Sequence, residues 1–331
     1  MSRISLATLT AAARSGLRRY PRHLWQSVTE RGARRNPSDP LLPECEGSDG
    51  SPRICPLNGA DIGAMWIGHA TVLLRIGGTT ILTDPVFSNR IGWSVGAKTF
   101  GIRRLVAPSI APHLLPPIDL VLISHAHFDH LDRPSLMSIA NARTTVITAA
   151  RTARLIPAGF EQVIELGWNQ ELRFRDVRIQ ALRPAHWGAR TAVDHRRGFN
   201  SYLLESPHSS GKRPYKVLFA GDTANTDSLD RAGPIDLGIF GIGAYNPWEH
   251  AHATPEQVWS MFSRVAPSKE ALLLPVHHST FELSDEHPDE PMQRLLRAAD
   301  GHLERIVCRD IGSRWAHGCE LPSLKSDLRH E

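Results

Sequence analysis

Leu6, Leu9, Ala13, Leu17, Tyr20, Leu24 and Val28 recur at three- and four-residue intervals, the spacing of one apolar helix face. Pro21 falls inside the pattern and predicts a kink or break there. From residue 61 the periodicity shortens. Residues 64–67, 71–76 and 79–83 read as strands, the last two separated by Gly77-Gly78. Residues 118–124 form a nearly continuous apolar run, as expected of a strand buried on both faces. Further strands are expected at 144–148, 177–182, 201–204, 216–220, 236–240 and 271–275, and helices at 134–140, 255–264 and 288–299. Thr254-Pro255 supplies an N-cap followed by proline at the first helical position. Strands come first and strand–helix alternation follows, which predicts a layered α/β sandwich with mixed sheets.

Between the two patterns, residues 37–60 are dense in turn formers, including Asp39-Pro40, Pro43, Gly47, Gly50, Pro52 and Pro56, and read as a linker or irregular wrap. The expected organisation is a helical arm (1–36), this linker, a catalytic body (61–320) and a tail (321–331). Charge sharpens the division. The net charge is +4, but the arm alone carries eight Arg against one Glu, leaving −3 on the rest. That argues against a nucleic-acid partner for the body. Arg14, Arg18 and Arg22 line a second face of the arm. Two readings stand: a helix packed on the body or on the second subunit of a homodimer, or a peripheral contact with an anionic membrane surface. The 331 residues contain no apolar run of the ~18 needed to span a bilayer and no signal-peptide pattern, so a cytoplasmic location is expected. Cys45, Cys55, Cys308 and Cys319 show no Cys-x-x-Cys spacing. This excludes a cysteine metal site or redox motif and leaves a Cys45–Cys55 or Cys308–Cys319 bridge open.

The chemistry concentrates at His125-Ala126-His127-Phe128-Asp129-His130, directly after the buried strand. Strand ends in α/β sheets are where binding loops gather. His125 and His127 can address one ion from an extended loop, and Asp129 and His130 turn to a second. Imidazole and carboxylate suit zinc, with room for manganese or iron. Two ions need more ligands, and His186, Asp222 and His277 or His278 each sit just past an expected strand.

These residues resemble the metallo-β-lactamase superfamily, whose marker is His-x-His-x-Asp-His. Within it the chain looks most like the N-acylphosphatidylethanolamine-hydrolysing phospholipase D group and its bacterial relatives. The matching stretches include Gly68-His69-Ala70-Thr71, Thr83-Asp84-Pro85, Pro184-Ala185-His186-Trp187, Ala220-Gly221-Asp222-Thr223 and His252-Ala253-Thr254-Pro255. The resemblance implies a four-layer αββα sandwich. It implies two zinc ions, one on His125, His127 and His186, the other on Asp129, His130 and His277, bridged by Asp222. His277 is preferred over His278 because Thr280-Phe281 follows it at the family's spacing, although His278-Ser279 departs from the family's Trp-Gly.

The activity so implied is phosphodiester hydrolysis of N-acylphosphatidylethanolamine-like phospholipids by a hydroxide shared between the ions, with Asp129, Asp222 and His252 as catalytic residues. His69 and Asp84 are candidates to fix the ligands from behind. Tyr245, Trp187, Trp248 and Phe281 could line an apolar channel, and Lys98, Arg103 and Arg104 could attract an anionic head group. A lactonase, or another hydrolase of small anionic esters, would use the same centre. A non-catalytic binding protein is disfavoured by the complete ligand set.

Overall fold

The computed structural model describes residues 44–46, 52–95, 98–190, 194, 196–207 and 213–317. The arm, half of the turn-rich stretch after it and the tail fall outside them. Within that stretch, strands β1 (Glu44–Glu46) and β2 (Pro52–Ile54) pair as an antiparallel ribbon. Cys55, which follows, is disulfide-bonded, whereas Cys308 is free and buried, which removes the Cys308–Cys319 bridge.

Two sheets build the body. The first has seven strands in spatial order β10 (Gln162–Leu166), β9 (Thr145–Ala149), β8 (Leu120–Ile123), β5 (Thr79–Thr83), β4 (Thr71–Ile76), β3 (Ile62–Gly68) and β17 (Arg314–His317). The second has six: β11 (Glu171–Phe174), β12 (Val177–Leu182), β13 (Ser201–Ser206), β14 (Tyr215–Phe219), β15 (Leu237–Gly241) and β16 (Leu272–Val276).

Alternating side chains sort into separate layers, as the two-residue period of a strand requires. Trp66, Leu74, Leu120 and Leu122 meet Ile179, Tyr202, Val217, Phe219 and Ile239 between the sheets. Met65, Leu73, Val121 and Ile123 face outward and pack with Leu136 of the helix Arg133–Ile139. On the far side, Leu218 and Phe240 pack with Val258, Met261 and Phe262 of the helix Pro255–Val265 and with Leu295 of the helix Glu290–Ala298. The result is the four-layer αββα sandwich.

The N-cap signal at Thr254 takes full form as a capping box with Gln257. The sequence pattern missed β10, β11, β17 and the hairpin β6 (Arg90–Val95) with β7 (Lys98–Arg103). The first three are edge strands. Gln162–Leu166 and Glu171–Phe174 expose alternate or successive side chains, so they carry no buried apolar run. In the hairpin, Gly92 lies opposite Gly101, and a Cβ on Gly92 would fall 2.1 Å from the Phe100 carbonyl oxygen.

The direction of pairing positions the site. β5, β8 and β9 run parallel, as do β14, β15 and β16. β12 reaches the same direction through two antiparallel steps. The loops after β3, β5, β8, β12, β14 and β16 therefore open on one edge. Tyr202 ties the sheets together beside it: its hydroxyl donates to the Ile123 carbonyl at 2.9 Å, two residues before His125. Y202F leaves that buried carbonyl short of a donor and is expected to lower unfolding free energy by about 1–3 kcal/mol, measurable by urea denaturation.

Candidate metal centre

Each candidate side chain is held at that edge by a tight exit from a strand. His69, Asp84 and His277 have φ of 53°, 31° and 64°, left-handed values that non-glycine residues adopt at a cost, typically at functional sites. Gly221, before Asp222, has φ 59°, and a Cβ there would meet the Ser124 Cβ at 2.9 Å. Only glycine lets β14 turn so closely against the 125–130 loop.

Asp222 Oδ2 lies at the centre. It is 3.1 Å from His130 Nε2, 3.3 Å from His277 Nε2, 3.7 Å from His186 Nε2, and 3.8 Å from both His125 Nε2 and His252 Nδ1. On one side, His125 Nε2 approaches His127 Nδ1 at 2.8 Å, and His186 Nε2 approaches the same nitrogen at 3.4 Å. On the other, Asp129 Oδ2 is 3.1, 3.3 and 3.6 Å from Nε2 of His69, His277 and His130. The donor atoms form the groups His125–His127–His186–Asp222 and His69–Asp129–His130–His277, with Asp222, His252 and His277 joining them.

Imidazole nitrogens this close cannot face one another with lone pairs alone; a proton or a cation must lie between. Two ring orientations favour the cation. His186 Nδ1–H donates to the Ala251 carbonyl at 3.0 Å, and His130 Nδ1–H donates to Asp84 Oδ2 at 2.7 Å. Each Nε2 lone pair is thereby turned to the centre, as a metal ligand requires. The residues fit a pair of divalent ions held by nitrogen and oxygen donors.

The electrostatics agree. Burial alone would lower His277, but Asp222 and Asp129 outweigh it and lift the imidazole to about 9. Burial would likewise lower His130, and Asp222, Asp129 and Asp84 hold it well above the ordinary range. Burial opposes ionisation of Asp222 and Asp129, yet the facing histidines keep both well below the usual carboxylate range. Burial and neighbouring imidazoles depress His125, and burial depresses His186 against the pull of Asp222.

Without an ion, His130 and His277 hold protons where a metal would sit. Their raised values stabilise the ion-free fold below the unfolded value of 6.5, and His277's share is lost as pH rises through about 9. Binding a divalent ion displaces those protons. Metal affinity, followed by titration calorimetry in buffers of different ionisation enthalpy, is expected to rise with pH towards about 9 with net proton release; a flat profile would contradict the assignment.

His277 faces the centre; His278 does not. Its ring packs on Trp66 with centroids 4.6 Å apart, and its Nδ1 meets Ser279 Oγ at 2.9 Å. His252 is stacked on His277 and edge-on to His186. Asp84, fully buried, accepts from the Ser124 backbone N–H at 2.7 Å and the Ser124 hydroxyl at 2.5 Å as well as from His130. His69 Nε2 meets Asp129 Oδ2 at 3.1 Å, and its donor atom falls within the same group as Asp129, His130 and His277.

Of the aromatics, Trp187 is 40% exposed and stacks on His186 at 4.6 Å. Phe281 is buried edge-on to His69. Tyr245 is instead bound through its hydroxyl to Glu290 at 2.8 Å. Arg104 is no head-group attractor either: it is buried, donates to the carbonyls of Ser88 and Val86, and lies over the Phe281 ring. Ser124 also joins the site, linking Asp84 to His125 through its hydroxyl; in the sequence only its place beside His125 at a buried strand end marks it. Among the described residues no helix is long and apolar enough to cross a membrane.

A centre of this composition at the strand-end edge of an αββα sandwich defines a metal-dependent hydrolase. The beta-lactamase superfamily domain matches residues 79–278, and the chain belongs to that superfamily. An uncharacterized protein of Mycobacterium tuberculosis H37Rv is 30% identical over 293 residues, covering 84% of this chain and 73% of its own. The N-acyl-phosphatidylethanolamine-hydrolyzing phospholipase D 1 of Caenorhabditis elegans is 26% identical over 283 residues, covering 76% and 75%. A possible metal-dependent hydrolase from Veillonella parvula shares the fold at a TM-score of 0.62 and 18% identity, over 77% of this chain and 99% of that one.

Proposed function

We propose that the chain is a zinc-dependent phosphodiesterase acting on N-acylphosphatidylethanolamine-like phospholipids. The observation that carries the reading is Asp222 Oδ2 set among five imidazole nitrogens at 3.1–3.8 Å, with a phospholipase D of this specificity among the relatives. His125, His127 and His186 would hold one ion, Asp129, His130 and His277 the other, and Asp222 both. Bound ions of this kind activate water and offset the charge that builds on a phosphoryl group.

The protein's own residues supply the rest. Asp129 and Asp222 remain carboxylates at neutral pH and accept hydrogen bonds from the attacking water, orienting it towards phosphorus. Burial, against the pull of Asp222, lowers His252 to about 4, so its imidazole is neutral. It can take a proton as water attacks and pass it to the departing alcohol oxygen. Asp84 fixes His130 through the hydrogen bond at 2.7 Å, and His69 steadies Asp129. The exposed face of Trp187 beside His186 and His127 offers apolar surface to the lipid.

The test is turnover of N-acylphosphatidylethanolamine, a bis-aryl phosphodiester and a lactone panel by zinc-loaded protein. Release of phosphatidate and the N-acylethanolamine is expected. Turnover confined to lactones would transfer the same centre to the lactonase reading.

A further inference from the structure

Arg190 lies four residues after His186, and its side chain crosses to the 125–130 loop. Nη1 donates to the Leu131 carbonyl at 2.7 Å and to the Ala126 carbonyl at 3.1 Å. These two carbonyls bracket the turn that carries His127, Asp129 and His130. That turn is otherwise closed by the His130 and Leu131 N–H groups on the His127 carbonyl, at 3.1 and 2.9 Å. The guanidinium carbon also lies 4.0 Å from the centre of the Phe128 ring, which Trp93 of the β6–β7 hairpin approaches at 5.3 Å. One cation therefore grips both ends of the ligand-bearing turn and its central aromatic side chain, from the loop that also presents His186.

We infer that Arg190 is a positioning residue for the metal centre: it clamps the 126–131 turn so that ligands of both ion sites keep their spacing. The physical reason is spread. The sites take ligands from the ends of separate strands, but Asp129 and His130 sit in a turn with only two backbone hydrogen bonds of its own. A guanidinium is suited to the task because it keeps its charge and presents several donors in one plane. Burial lowers it only to about 10, with Asp132 opposing, so it stays cationic at neutral pH. The inference rests on the metal-centre reading and is independent of the substrate.

The test is zinc and manganese titration of R190Q, with unfolding of the ion-free proteins measured in parallel. Supports lying just outside a ligand set typically contribute ~10–100-fold in metal affinity, and R190Q is expected to weaken binding by that factor. F128L, which removes the ring but not the two carbonyl bonds, is expected to retain most of the affinity. Unchanged metal affinity in folded R190Q, with or without a lower unfolding midpoint, would overturn the clamp. Should the glutamine variant fail to fold, R190K decides. Lysine is shorter and lacks the planar fork, so it too should bind more weakly than the parent, and parental affinity would overturn the inference. Absence of binding in the parent protein would instead count against the metal centre itself.

Discussion

Replacement of Asp222 by alanine is expected to remove metal and turnover together. Its Oδ2 lies 3.1–3.8 Å from imidazoles of both groups, whereas Asp129 Oδ2 meets histidines of one group alone among the described ion pairs. Losing it leaves His130 and His277 without the carboxylate that does most to keep them charged, so the cluster is destabilised with or without ions. Several kcal/mol of charge stabilisation goes with the metals, and each ~1.4 kcal/mol is tenfold in rate. The fall in kcat/KM is therefore expected to be on the order of a thousandfold or more. Elemental analysis and a rate measurement on the same sample check it. Parental metal content in D222A would remove Asp222 from the bridging position.

The second large effect is expected at Asp84. The residue is fully buried and satisfies three donors: the Ser124 N–H, the Ser124 hydroxyl and His130 Nδ1–H. D84A strands all three in a site that excludes water. Breaking a buried, hydrogen-bonded ion pair on one side typically costs about 3–5 kcal/mol, which denaturant unfolding would register. It also frees His130 to rotate and to change tautomer, so metal affinity should fall by ~10–100-fold. Both readouts are needed. Lost stability with parental metal affinity would make Asp84 a packing residue alone.

The parts of the site that could be read in the sequence share one property: they are local. Three histidines and an aspartate within six residues after an apolar run announce themselves, and a left-handed exit such as Gly221-Asp222 is marked by its glycine. The layered α/β arrangement was legible for the same reason, since a strand buried on both faces, such as β8, writes a continuous apolar run; the αββα order came only with the resemblance to the superfamily. Edge strands did not. Arg314–His317 becomes a strand only by pairing with β3, about 250 residues earlier in the chain, and nothing in Arg-Trp-Ala-His marks it.

Side-chain direction was equally hidden. Arg104 and Arg190 are both arginines in loops near the site, and composition treats them alike. The fold sends one over the Phe281 ring and the other across the ligand turn. His69 was legible as a residue of interest within Gly-His-Ala-Thr. Its reach to Asp129 Oδ2 depends on β3 and β8 opening on the same edge, which is a property of sheet order.

Hydrolysis at a two-ion centre is decided by turnover of N-acylphosphatidylethanolamine measured against bound zinc per chain, as ions are stripped with a chelator and restored. The expected result is activity that vanishes with the ions and returns as the content approaches two per chain. Full hydrolysis by ion-free protein would contradict it.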